Sequence, residues 1–242
     1  MESSILVTLS RQDALQRQLS VVANNMANMN TTAFKAERMM LVDHEVRVPA
    51  AGVRGEAAIA FVRDVGTVRD NADGEMIETG GELDVAIAGE GYLVVSTPLG
   101  ERYTRDGHLR LDETGRLVTG HGLPVLTQNG APVQFASQDA RIVIARDGSI
   151  SSEARELGRL RVVRFAHPEQ MQSVAGGLIT SDEAPEDVAA PAVLQGMLEG
   201  SNVQPISEMT RLIGVQRAYD QARALVDKED ERINKMLQTY LA

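Results

Sequence analysis

Four histidines, His44, His108, His121 and His167, are the only imidazoles of the chain, and none is paired with another at metal-ligand spacing. His108 follows Asp106-Gly107, a hairpin dipeptide, and reads as a solvated turn residue. Gly89-Glu90-Gly91 follows one β-prone run and precedes another, Tyr92–Ser96, so the helix N-terminus that would hold a phosphate is missing. Asp70, Asp73 and Gly74 lack the alternating Asp/Asn series and the glutamate at the twelfth position of a calcium loop. No serine stands in a Gly-x-Ser-x-Gly setting. With no cysteine there is no thiol nucleophile, thiolate metal site or disulfide. The reading is therefore of a non-enzyme with no catalytic residue, no cofactor and no metal.

Composition narrows the partners. The 242 residues are 43% hydrophobic and carry a net charge of −10, with aromatics at 3% and no Trp. A basic patch for releasing counterions from nucleic acid is not expected, nor is base stacking. No apolar run approaches the roughly 20 residues of a membrane span, so no membrane insertion is expected. Met1-Glu2-Ser3-Ser4 lacks a basic region followed by an apolar stretch, so no cleaved secretory signal is expected. Charge is uneven: residues 41–199 hold 14 basic and 25 acidic groups, whereas the two ends are near neutral. An acidic centre stays solvated while neutral ends are free to pack.

The ends read as helices. From Ser3 to Met29 there is no Pro or Gly, and Leu15, Leu19, Val22, Met26 and Met29 repeat at spacings of 4, 3, 4 and 3, with Ile5 on the same extrapolated seam. Asn28, Asn30 and two threonines then stop it. After Gly200-Ser201-Asn202, Pro205 suits a first helical turn. Leu212, Val215, Tyr219, Ala222 and Val226 form a second seam, resumed at Ile233, Met236 and Tyr240 after Glu229. Such seams are weak for an isolated pair, which favours helices completed by neighbours. Between them lie 19 of the 21 glycines, with Asp73-Gly74, Asp106-Gly107, Asn129-Gly130 and Asp147-Gly148 separating short β-prone runs. That pattern predicts antiparallel strands joined by hairpins.

The expected class is α+β: N- and C-terminal coiled-coil helices packed together, with an inserted antiparallel all-β domain. The expected divisions are residues 1–35 (helix and signature segment), 36–75 (linking segment, without a clean period), 76–197 (β domain) and 198–242 (C-terminal helix). Helices of this kind serve either a polymerising subunit or, in another class, a soluble binding adaptor with an exposed coiled coil.

The segment Asn24–Lys35 resembles the N-terminal signature of the bacterial flagellar rod and hook proteins, matching at Asn25, Ala27, Asn28, Asn30, Thr31, Phe34 and Lys35, with Ala33 where Gly is usual. Leu198-Glu-Gly-Ser201-Asn202-Val203, Glu208-Met209 and Gln216-Arg217-Ala-Tyr219 resemble the C-terminal signature. Leu83–Ile87, Gly89-x-Gly91 and Tyr103-Thr-Arg-Asp-Gly107 are similar to central segments of the same family. Val125–Pro132, Asp147–Ser151 and Leu157–Leu160 look closer to proximal than to distal rod members. The resemblance implies a structural axial component of the basal body, exported uncleaved by the flagellar type III apparatus and assembled in the periplasm. The partners it implies are copies of itself, other rod proteins and the export apparatus during secretion.

Overall fold

The computed structural model describes residues 2–49, 56–136, 139, 141–153 and 155–241, with side chains described for 7–40 and from 66 onward except 237, 240 and 241. Ile5, His44 and Tyr240 thus fall outside the described side chains. The chain forms two compact units, one of Met1–Ala27, Glu37–Asp70 and Val203–Ala242, the other of Asn28–Ala36 and Asn71–Asn202. It passes from one to the other four times.

The first unit holds α1 (Glu2–Ala27), β1 (Glu37–Pro49), β2 (Glu56–Arg69) and α2 (Pro205–Leu241). α1 ends where Asn28 begins a turn: Asn28 O accepts from Thr31 N at 3.1 Å. α2 opens on Pro205, whose missing N–H costs nothing there, and carries Glu208 in its first turn, where the helix dipole favours a carboxylate. The helices run antiparallel, because Gln12 bonds Tyr219 and Asn25 bonds Glu208. With 37 residues against 26, α2 outruns α1 by 11 residues, roughly 16 Å. Given the register, this overhang is residues 231–241.

The second unit is built from short antiparallel strands: β3 (Met76–Glu78), β4 (Val85–Ala88), β5 (Tyr92–Thr97), β6 (Gly100–Thr104), β7 (Leu109–Leu111), β8 (Leu117–Thr119), β9 (Val143–Ile144), β10 (Ser149–Ser151), β11 (Glu156–Arg159), β12 (Val162–Arg164), β13 (Gln172–Val174), β14 (Leu178–Thr180), β15 (Glu186–Asp187), β16 (Ala192–Gln195) and β17 (Met197–Glu199). The largest sheet has the order β13-β14-β6-β5-β12-β15. The first strands of the unit pair with its last: β3 with β17 and β4 with β16. Alternate residues of β5 divide the interior. Leu93 and Val95 enter one core with Ile87, Leu117, Val125, Ile150 and Leu160, and Tyr92 and Val94 enter another with Tyr103, Val163 and Phe165. Each fully buried aliphatic side chain contributes about 1.5–3 kcal/mol.

This overturns the expected α+β coiled-coil class. The chain is mainly β with a helix near each terminus; among the described residues there are two α-helices against seventeen strands. Two causes are visible. The long hairpin β1–β2 lies against α1 as well, so α1 does not face one partner only, as a coiled-coil strand does. The seams also lose their regularity. Val22, Val215 and Ala222 are buried, whereas Leu15, Leu19, Met26, Leu212, Val226 and Ile233 are half-buried and Met236 is exposed. The hairpin showed no clean period because its pairing shifts after Met40, which faces Gly66 while Leu41 faces Asp64, leaving Val65 as an extra residue.

Candidate functional site

Two clusters hold the places where the chain passes between units, one cluster within each unit. In the first unit the centre is Asn25, fully buried in the last turns of α1. Its Oδ1 accepts from Glu37 N at 2.9 Å, and its Nδ2 donates to Glu37 O at 2.8 Å and to Glu208 Oε2 at 3.2 Å. A carboxamide offers a donor and an acceptor side by side, so Asn25 engages the peptide groups of Glu37 as a neighbouring strand would. One side chain thereby fastens the first residue of β1, the end of α1 and the start of α2. The buried Glu208 also accepts from Arg211 Nη1 at 2.8 Å.

In the second unit the centre is Glu199, the last residue of β17 and 1% exposed. Its Oε1 accepts from Lys35 Nζ at 2.5 Å, Gly74 N at 3.0 Å and Arg105 Nη1 at 3.3 Å. Arg105 Nη1 also donates to Asp73 Oδ1 at 2.9 Å, and its remaining nitrogens donate to the carbonyls of Gly89 and Gly91. Lys35 Nζ reaches Ala72 O at 2.6 Å. Burial pulls the Lys35 ammonium below its ordinary 10.5, outweighing the Glu199 hydrogen bond that raises it. Partial burial disfavours the Asp73 carboxylate, but the hydrogen bond and charge of Arg105 hold its pKa below 3.8. Asn202 completes the cluster, accepting from Ala36 N at 2.7 Å and donating to Ala72 O at 2.9 Å. Backbone bonds Ala33 N to Glu199 O (2.8 Å), Asn202 N to Phe34 O (3.3 Å) and Gly200 N to Glu75 O (2.8 Å) lay segments 33–36, 72–75 and 199–202 side by side. The approach is so close at Gly74 that a Cβ would collide with Gly200 O.

The structure divides the signature residues between these clusters. Asn25 and Glu208 meet in the first unit; Lys35 and Asn202 meet in the second, beside the half-buried Phe34 and Ser201. Val203 is buried, and the half-buried Tyr219 accepts from Gln12 at 3.2 Å. Ala27, Asn30, Thr31, Met209, Gln216 and Arg217 are exposed, and Asn28 is half-buried. Ala33 adopts φ +56°, the left-handed conformation that favours glycine. Missed as site residues were Glu199, Arg105 and Asp73. The first two sit inside the recognised segments, Glu199 as a lone charge and Arg105 beside Asp106, and a charge within an otherwise apolar or turn segment was their only signal. Asp73 Oδ2 accepts from Gly89 N at 3.2 Å, so the Gly-x-Gly connection and the would-be calcium aspartate answer each other. His108 Nδ1 lies 2.9 Å from Asp84 Oδ1 at the surface.

In both clusters charged and amide side chains fasten backbone to backbone. Comparison with known proteins supplies the family. Residues 5–35 match the family described as "Flagella basal body rod protein", 86–152 the "Flagellar hook protein FlgE/F/G D1 domain", and 194–239 "Flagellar basal body rod FlgEFG protein C-terminal". The chain is 39% identical to the flagellar basal-body rod protein FlgF of Caulobacter vibrioides, over 96% of its own length and 95% of the relative's. It is 33% identical to FlgF of Mesorhizobium japonicum over 99% and 98%, and 29% identical to FlgG of Bacillus subtilis over 97% of each. The chain belongs to the flagellar basal-body rod protein family.

Proposed function

We propose that this chain is a structural subunit of the proximal part of the flagellar basal-body rod and performs no chemistry. It assembles with copies of itself and with other rod proteins through its terminal helices, and so helps transmit torque from motor to hook. It reaches the periplasm through the flagellar export apparatus without cleavage of a signal. The observation that carries the reading is the convergence of both terminal signatures on two buried clusters, Asn25–Glu37–Glu208 and Lys35–Glu199–Arg105–Asn202. Such clusters brace each unit from within, which suits a subunit that bears load. Identities of 39% and 33% to two FlgF relatives, against 28–31% to the FlgG relatives compared, favour the proximal over the distal level. The test is a deletion strain complemented with a tagged chain, followed by imaging of purified basal bodies. Label at the base of the rod and restored swimming are expected; label next to the hook would move the chain to the distal level, and full swimming without the chain would overturn the reading.

A further inference from the structure

We propose that Asn129 is a site of spontaneous covalent modification, at which the backbone nitrogen of Gly130 displaces the side-chain amide and the residue becomes aspartate or isoaspartate. Water is the sole co-reactant and ammonia the product released, so no enzyme or cofactor takes part.

Asn129-Gly130 is the only Asn-Gly pair of the chain. Residues 128–130 form the exposed tip of a hairpin loop, closed by Gly130 N donating to Thr127 O at 2.8 Å and Thr127 N donating to Ala131 O at 2.9 Å. The Asn129 carboxamide has no hydrogen-bond partner among the described residues, so it is free to turn toward its own main chain. Gly130 holds φ +74°, and nothing lies within 4 Å of where a Cβ would stand, so its nitrogen is unscreened. The other three turn dipeptides lack these conditions. Asp73 is held by Arg105 and by Gly89 N, and Asp147 by Ser149 N and Oγ. Asp106 accepts from His108 N, and a Cβ at Gly107 would run into Val85 O. All three are carboxylates, far poorer electrophiles than an amide. Asn25 and Asn202 each spend both ends of the carboxamide on other segments.

The step balances without a redox partner. The Gly130 nitrogen gives up its proton and bonds to Asn129 Cγ; the Cγ–Nδ2 bond breaks, ammonia leaves with that proton, and a succinimide ring closes. Water then adds to either ring carbonyl. Opening at Cγ yields aspartate, and opening at the main-chain carbonyl carbon yields isoaspartate. The bond from Gly130 N to Thr127 O must part first, an excursion open to an exposed loop tip. Both products place a new negative charge at the tip. Isoaspartate also inserts a side-chain carbon into the main chain, which shifts the bonds that Thr127 makes with Gly130 and Ala131.

Trypsin releases residues 117–141 as one fragment, in which Asn129 is the only asparagine. The purified full-length chain is kept in mildly alkaline buffer beside a urea-unfolded sample, and both are digested at intervals and weighed by mass spectrometry. In the folded sample this fragment is expected to take on the mass of amide-to-acid conversion ahead of the fragments that carry Asn30 and Asn71. It should elute as two acidic forms, one of which accepts a methyl group from an isoaspartyl methyltransferase. Asn129→Gln, whose longer side chain closes a ring far less readily, is expected to lose the conversion and to keep the melting temperature, since the residue is exposed. Conversion of Asn30 or Asn71 before Asn129 overturns the assignment, as does undiminished conversion of the fragment in Asn129→Gln. An amide that stays intact in the folded chain after the unfolded sample has converted also overturns it, because the turn then shields the bond.

Discussion

At the scale of single residues, Glu199 is the position on which most depends. Its one carboxylate oxygen answers Lys35, Arg105 and the Gly74 amide. Glu199→Gln leaves the buried Lys35 without a carboxylate partner and Arg105 with Asp73 alone, and removing one member of a buried ion pair costs about 3–5 kcal/mol. Denaturant unfolding of the full chain checks this, and Lys35→Met should recover part of the loss in the double variant. Ala33 carries the opposite expectation. It holds φ +56° while its N–H is fixed to Glu199 O. Ala33→Gly removes the left-handed strain and stabilises by about 0.5–1 kcal/mol, read as a raised melting temperature. Asp73 links the cluster to acidity. Its folded pKa lies below 3.8 and its unfolded value near 3.8, so the stability it adds is complete above that value and is lost as pH falls through the folded value. Asp73→Asn should therefore flatten the acid limb of the stability profile below about pH 4 without abolishing it. Asp139 and Asp147, held low by backbone and side-chain hydrogen bonds against the effect of burial, keep their own share.

At the scale of elements, α2 is the informative one. Its first 26 or so residues run beside α1, and residues 231–241 pass beyond it. A chain terminated after Asp230 should melt within about 3 °C of the full chain, because little packing inside the unit is removed. It should nevertheless fail to enter basal bodies, as immunoblots of purified particles would report. How far these elements were legible in the sequence follows from physics. The two helices were visible because both lack interior breakers and carry an apolar period. The short strands were visible in part through Asn129-Gly130 and Asp147-Gly148, whose glycines adopt the positive φ such turns demand; Asp73-Gly74 and Asp106-Gly107 instead join strands that do not pair with each other. The hairpin β1–β2 was not, because the extra residue at Val65 resets the alternation that identifies a strand. The site was legible by half. Asn25, Lys35, Asn202 and Glu208 belong to terminal signatures, whereas Arg105 and Asp73 become partners of Lys35 and Glu199 only when strands distant in sequence are laid together.

At the scale of the whole molecule, the second unit is closed by its ends. β3 pairs with β17 and β4 with β16, and Lys35 finds its carboxylate 164 residues later. A chain ending at Pro191 lacks β16, β17, Glu199 and Asn202, so β3 and β4 lose their partner strands and Lys35 its carboxylate. Such a fragment should show no cooperative thermal transition by circular dichroism, although it retains most of the core residues. Contacts of this sequence separation also predict slow folding.

That pairing of first strands with last sets a clock. For a chain that emerges from a narrow conduit N-terminus first, the latch between Lys35 and Glu199 cannot shut until residue 199 has followed residue 35 through. Up to that moment the leading segments wait as an open thread, and the order of emergence itself postpones folding until almost the entire polypeptide is present. A subunit with its latch split between the two ends of its β unit thus carries its own delay.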